Sequence, residues 1–143
     1  MGRLERFCVF RVDDQVLGIE VGTVQEVIRD RRITPVPRAP AAVLGLINLR
    51  GEIVPALDLR RCLGLPPAPR RSATMVVFRP GEEDLSLVVD EVLEVREIDT
   101  DDFEPLPPTL QTTGRELIRG THPLDDRLLL WLDGSKLLEA VST

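Results

Sequence analysis

The chain is written twice, and an internal repeat constrains the architecture before any single residue does. The pattern V-x-x-V-x-E-V occurs at Val21, Val24, Glu26 and Val27 and returns at Val89, Val92, Glu94 and Val95. Each copy is followed by two prolines around an apolar residue, Pro35-Val36-Pro37 and Pro105-Leu106-Pro107. An Arg-Gly pair comes next in both, Arg50-Gly51 and Arg119-Gly120. Each half then has an apolar stretch ending in Leu-Asp, Leu57-Asp58 and Leu132-Asp133, with a leucine beyond it at Leu63 and Leu138. Five matches in one order imply two similar modules, approximate repeats over residues 7–65 and 73–141 joined by the proline-rich stretch 66–72. A groove between the modules is the first place to look for function.

With 143 residues in all, each module would be marginal alone, because small domains bury too little surface. The two are therefore expected to share an apolar interface. Aromatics make up 3% of the chain, so the core must be aliphatic. The runs 7–12, 16–21, 44–49 and 53–57 read as strands, and 74–78, 85–90, 117–118 and 128–132 repeat them. Around Val24, Val27 and Ile28 the spacing fits one helical face or a kinked strand. Arg50-Gly51-Glu52 reads as a hairpin turn with Gly51 at positive φ, and Pro55 marks its strand as an edge or bulged one. Asp58 and Ser135 are placed to cap two short helices. About five short strands and a short terminal helix per half suit a small closed or nearly closed barrel, an all-β fold in which sheet edges are hidden.

The formal net charge is −6, but twelve arginines face eight acids through Ser72, whereas five arginines and one lysine face sixteen acids after it. An acidic chain so poor in aromatics lacks the basic, stacking surface of a nucleic-acid binder. No run of about 18 apolar residues exists to span a membrane. The first six residues lack the apolar core of a secretory signal, so a cytoplasmic location is expected. His122 is the only histidine, and neither cysteine looks exposed, so no nucleophile–base pair suggests itself. Cys8 and Cys62 read as buried free thiols. Phosphate-binding glycine motifs and clustered metal ligands are absent. No catalytic residue, metal or cofactor is expected, which leaves a binding module.

The stretch Leu46-Ile47-Asn48-Leu49-Arg50-Gly51-Glu52-Ile53-Val54-Pro55-Ala56-Leu57-Asp58-Leu59-Arg60 resembles the signature of the CheW-like family, the adaptors of bacterial chemotaxis arrays and the regulatory domain of the CheA histidine kinase. Val24-Gln25-Glu26-Val27, Ile33-Thr34-Pro35-Val36-Pro37 with Pro40, Val88-Val89-Asp90 with Val92, and Ile118-Arg119-Gly120 are similar to further family motifs in the family's order. Ser86 departs from the pattern, standing near where the family has glycine. The resemblance covers about Phe7 to Val141. It implies a single domain of two SH3-like five-stranded barrels with short helices around a shared apolar interface, and it allows the first strand to pair into the other barrel. It also implies a freestanding, non-enzymatic adaptor with two partners: the CheA-type kinase regulatory domain and the helical cytoplasmic tip of a chemoreceptor. By the same resemblance, Val24, Glu26 and Arg50 belong to a receptor groove, with Glu26 and Arg50 paired. Gly45, Asn48 and Asp58 fall on the coupling or kinase side. An adaptor for a twitching, gliding or other chemosensory pathway, or one that binds receptors without the kinase, is the alternative.

Overall fold

The computed structural model describes residues 2–68, 74–108 and 113–142, so part of the proline-rich stretch 66–72 lies outside the described residues. The elements run β1 (Leu4–Val12), β2 (Gln15–Glu20), β3 (Val24–Arg29), β4 (Val43–Leu49), β5 (Glu52–Asp58) and α1 (Leu59–Cys62). They continue as β6 (Thr74–Phe78), β7 (Leu85–Val89), β8 (Glu91–Asp99), β9 (Ile118–Leu124), β10 (Arg127–Leu132) and α2 (Gly134–Val141). The ambiguous segment after Val24 is a strand. Its two alternate faces pack differently, with Ile28 buried and Val27 exposed.

Among the described residues, ten strands make two five-stranded sheets, ordered β3-β6-β7-β5-β4 and β8-β1-β2-β10-β9. Each is a small SH3-like barrel. β3 to β7 build a central barrel, while β1, β2 and β8 to β10 build a terminal one. The two repeats therefore trade their opening hairpins: β1–β2 joins the strands of the second repeat, and β6–β7 joins those of the first. The exchange is reciprocal and takes in a whole hairpin rather than one strand. Position by position, β8, β1, β2, β10 and β9 fill the places of β3, β6, β7, β5 and β4. Even the irregularities match. A bulge skips Gln25 between Val24 and Glu26, and another skips Leu93 opposite Val9 and Phe10.

The exchange explains why several strands read as unbroken apolar runs. Met75, Val77 and Val88 face the inside of the central barrel with Ile47, Val54 and Ala56. Phe7, Val9, Val16, Leu129 and Trp131 fill the terminal barrel. The opposite faces of the same strands meet in the shared interface, where Phe10, Leu17, Ile19, Leu57, Val76, Phe78, Leu87, Leu130 and Leu132 form one cluster. Strands buried on both faces lose the polar alternation of a one-sided sheet. Ser86 is fully buried on β7, with no hydrogen-bond partner for its hydroxyl among the described residues.

Three local expectations need correction. β5 is an interior strand, not an edge, yet Pro55 is tolerated there. Its partner Leu46 turns its own N–H and carbonyl away to Thr34, so the Pro55 nitrogen faces β7, whose ladder with β5 begins only at Ala56. The cap of α2 is Asp133, which accepts from the Ser135 and Lys136 amides at 3.0 and 3.2 Å, rather than Ser135. Cys62 is half-buried, although Cys8 is buried as expected.

The Arg-Gly match in the repeat is a coincidence. Arg50-Gly51 is the turn between β4 and β5, whereas Arg119-Gly120 lies inside β9, whose turn into β10 is Asp125-Asp126. The structural counterpart of Gly120 is Gly45. Both are crossed by the strand-like arm that precedes the P-x-P: Thr34 bridges to Leu46, and Glu104 bridges to Thr121. Counterparts in this part of the repeat share the spacing of Asp58 and Asp133, which makes Asp125 the equivalent of Arg50 and Ser135 the equivalent of Arg60.

Candidate partner-binding groove

Each barrel contributes one wall to a seam on either side of the shared interface, and the two seams differ. On one side Arg60 of α1 fills the space. Its side chain is almost wholly buried, with one guanidinium nitrogen 2.7 Å from Asp90 and the other 2.9 Å from the Pro66 carbonyl. Asp90 also accepts from the Asp13 amide at 2.7 Å and lies 3.5 Å from Arg11, tying α1 of the central barrel to the β1–β2 turn of the terminal one. On the other side the equivalent position is the small Ser135. There a pocket of about 80 Å³ is lined by Thr23, Phe78 and Pro80 from one wall and Glu20, Arg119 and Asp133 from the other.

Val24 begins β3 directly after this open seam and packs, half-buried, against the rim of the shared core. Its counterpart Val92 packs against the same cluster. Two residues on, the bulge at Gln25 sets Glu26 in place. The Arg50 guanidinium lies 2.7 Å from the Glu26 carboxylate, with the arginine 77% exposed and the glutamate 22%. The turn that carries Arg50 is tight: Arg50 and Gly51 both have positive φ, 53° and 85°. That is the two-residue turn whose twist matches the flanking strands. Asn48 pins it by accepting the Gly51 amide at 3.0 Å. Since β3 and β4 are opposite edges of their sheet, the ion pair crosses the gap where the central barrel closes on itself.

The terminal barrel shows what this pair is not needed for. Its equivalents are two acids, Glu94 and Asp125, and Glu94 instead meets its neighbour Arg96 at 3.1 Å. The same barrel closes without the cross-seam pair. An ion pair this exposed contributes at most about 1 kcal/mol to stability. Its effect is to hold an exposed guanidinium in one orientation.

The remaining sequence-predicted residues serve the scaffold in ways visible here. Gly45 lies buried in β4 beside a bulge, and a Cβ there would meet the Thr34 carbonyl at 2.5 Å and the Ile33 Cγ2 at 2.7 Å. Asp58 is 5% exposed; it caps α1 through the Arg60 amide at 3.0 Å and faces Arg61 at 3.5 Å. The sequence reading missed a second exposed arginine held by a glutamate. Arg119 stacks 4.1 Å above the Trp131 ring and lies 3.7 Å from Glu20, while the Trp131 indole donates to Glu20 at 3.0 Å. The lone tryptophan of the chain was the available signal.

Among the described residues, neither His122 nor the two cysteines form a nucleophile–base pair. His122 packs against the Phe103 ring at 5.5 Å, with the Asp102 carbonyl 3.4 Å from its Nδ1. Burial pushes the Cys8 thiol above its ordinary pKa, and burial reinforced by Asp58 pushes Cys62 up to about 11. Both thiols are thus held in the unreactive form near neutrality. Among the described residues, no three His, Cys, Asp or Glu side chains gather as a metal site, and no helix is long and apolar enough to cross a membrane.

Fold and seam together define two SH3-like barrels fused through one core, each carrying an exposed arginine held by a glutamate. Residues 6–142 match the model of the CheW-like domain. A chemotaxis protein CheW of Thermotoga maritima is 32% identical over 93% of this chain and 87% of its own length. Protein FrzA of Myxococcus xanthus is 39% identical over 72% of this chain and 64% of its own. The crystal structure of the scaffolding protein TtCheW from Thermoanaerobacter tengcongensis superposes with a TM-score of 0.81 at 28% identity, covering 91% of this chain and 84% of that one. The chain belongs to the CheW-like family, whose members are scaffolds and adaptors of chemotaxis.

Proposed function

We propose that this chain is a cytoplasmic, non-enzymatic adaptor that couples the helical tips of chemoreceptors to a CheA-type histidine kinase. The observation that carries this reading is the Glu26–Arg50 pair, 2.7 Å apart beside half-buried Val24, without a counterpart in the other barrel. A receptor tip is an amphipathic helical hairpin, and an aliphatic position with a charged rim suits a helix laid in a groove. An arginine already oriented by a glutamate has less freedom to lose on docking. Val24, Glu26 and Arg50 form the receptor groove in this reading. Gly45, Asn48 and Asp58 belong to the coupling or kinase side, acting by setting the positions of β4, its turn and α1. The repeats 7–65 and 73–141 serve as one rigid body, and two weak interfaces on one body raise the local concentration of kinase at receptor tips.

Titration of variants against a receptor-tip hairpin and against the kinase regulatory domain tests this, with circular dichroism as the folding control. Arg50→Glu should weaken receptor binding by roughly tenfold or more, as expected for loss of a charge-assisted contact. Val24→Asp should weaken it further, because it sets an unpaired charge in an apolar site. Kinase-domain binding should survive in the Arg50 variant. Equal loss of both affinities in a folded Arg50→Glu protein refutes separate surfaces. The likeness to FrzA supports a second reading, an adaptor of a chemosensory pathway other than swimming chemotaxis. Wild-type protein that binds receptor and never kinase would establish the kinase-uncoupled alternative.

A further inference from the structure

The segment from Glu20 to Glu26 is gripped by an arginine at each end, and the two arginines come from different barrels. Arg50 of the central barrel meets Glu26, Arg119 of the terminal barrel meets Glu20, and Val24 lies between. Arg119 is the residue skipped by the bulge that pairs Gly120 with Trp131 and Ile118 with Leu132, and a bulge re-aims the side chain it carries. In the central barrel the equivalent bulged residue is Leu44, which packs half-buried against that barrel's interior. At this position of the repeat the terminal barrel thus carries a charge where the central barrel carries a packing residue. It remains 47% exposed, lines the open seam beside Thr23, and is held from beneath by the Trp131 ring and from the side by Glu20.

We propose that Arg119 is the second partner-contacting guanidinium of this groove, and that it selects a docking helix bearing a carboxylate on the terminal-barrel side of its apolar stripe. This rests on the receptor-groove reading above and adds to it a residue and a ligand chemistry. The Trp131 ring covers the guanidinium from one side and Glu20 faces one terminal nitrogen at 3.7 Å, which leaves the rest of the half-exposed fork for a carboxylate. The Glu20 contact, at 3.7 Å, is longer than the 2.7 Å between Glu26 and Arg50, so Arg119 gives up less on acquiring a new acidic partner. A receptor helix with a carboxylate on each flank of its apolar stripe would engage both arginines at once. A helix acidic on the central-barrel flank alone would bind through Arg50 and leave Arg119 idle.

The test uses the full chain and a chemoreceptor-tip hairpin prepared without tryptophan. Trp131 is then the only fluorescent indole in the mixture, and it lies directly under Arg119. Calorimetric titration and Trp131 emission are followed together, at low and high salt, for wild type, Arg119→Lys, Arg119→Met and Val24→Asp. The proposal expects Trp131 emission to change along the wild-type isotherm. It also expects Arg119→Met to lose roughly tenfold in affinity, as for a charge-assisted contact, and to show a shallower salt dependence. Arg119→Lys should keep most of the salt dependence while losing part of the affinity. Wild-type binding that leaves Trp131 emission unchanged, with Arg119→Met as tight as wild type and Val24→Asp impaired, overturns the proposal and leaves the groove reading standing. Affinities unchanged by every substitution, Val24→Asp included, bring down the groove reading and this inference with it.

Discussion

Replacing Gly45 by alanine perturbs the smallest possible group, one methyl, at the point where the chain runs closest to itself. The Cβ would stand 2.5 Å from the Thr34 carbonyl oxygen, 2.7 Å from the Ile33 Cγ2 and 2.9 Å from the Thr34 carbonyl carbon. Two of these three are backbone atoms, so no flexible side-chain end can swing away. The arm at Ile33-Thr34 must move, and it is held by reciprocal hydrogen bonds between Thr34 and Leu46, both 2.8 Å. Losing the pair costs roughly 1 kcal/mol per bond, and overpacking a tight site adds roughly 1–3 kcal/mol. A total of about 3–5 kcal/mol corresponds to a fall in Tm on the order of 10–15 °C for a chain of this size. Gly120 is the internal control, because its Cβ would meet the Glu104 carbonyl at 3.1 Å and the Phe103 Cβ at 3.3 Å. A shift of a few tenths of an ångström relieves that contact, so Gly120→Ala should cost under about 1 kcal/mol. Urea and thermal denaturation of both variants give the totals, and amide exchange at Thr34 and Leu46 shows whether the arm has lifted. If Gly45→Ala is as stable as wild type, or the Gly120 variant is the weaker, then close backbone approach is not why Gly45 is glycine.

Two further substitutions and one titration probe the interior. Asp90→Asn removes the carboxylate from the nearly buried Arg60 and should cost about 3 kcal/mol in urea unfolding, as expected when a buried pair loses one partner; a loss below about 1 kcal/mol would show that the Pro66 carbonyl and the Asp13 carboxylate, 3.8 Å from Arg60, suffice to hold it. Arg50→Glu should change stability by less than about 1 kcal/mol, since the pair it breaks is mostly exposed; cooperative unfolding at a markedly lower urea concentration would reassign the pair to barrel closure. Because Cys62 is pushed up to about 11, alkylation by iodoacetamide should be slow at pH 8 and accelerate towards pH 11. The raised folded-state value favours the protonated thiol, so its contribution to stability is full below the unfolded pKa of about 8.5 and fades as pH climbs through the folded one. An alkylation midpoint near 8.5 would contradict the burial seen here.

The strand count, the tandem organisation and the shared interface were legible because they depend on local pattern and on the amount of apolar surface. Which hairpin joins which barrel was not, since strand pairing is set by contacts far apart in sequence and Val76 or Leu17 looks equally apolar in either sheet. The resemblance to the CheW-like family admitted the exchange of one strand, and the structure extends it to two reciprocal hairpins. The Arg-Gly match failed because a dipeptide carries no geometry: Gly51 supplies a turn at positive φ, whereas Gly120 supplies room under the Glu104 arm. Asp133 displaced Ser135 as the cap because its backbone is extended at the helix threshold, where the cap must sit. Of the residues proposed for the groove, Val24, Glu26 and Arg50 were marked by their resemblance to family motifs, but Arg119 was not. Its surroundings are assembled from Glu20 and Trp131, which are adjacent only after both repeats have folded together.

The traded hairpins also set the order in which a ribosome can finish this protein. In the central barrel β3 touches β5 only through β6 and β7, so the first five strands form only the separate hairpins β1–β2 and β4–β5 when they emerge. The β1–β2 hairpin waits longer still, because its partners β8 and β10 are separated from it by most of the chain. At ordinary translation rates that wait is on the order of ten seconds. For that interval both edges of the apolar β1–β2 hairpin stand open and the terminal barrel does not exist, although the strands of the central barrel are complete at Val89. The central barrel has all its strands once Val89 has emerged, and the terminal barrel only once Leu132 has. A copy stalled between β7 and β10 therefore holds the central barrel alone, with the terminal wall of the seam missing and the apolar β1–β2 hairpin left without its partner strands.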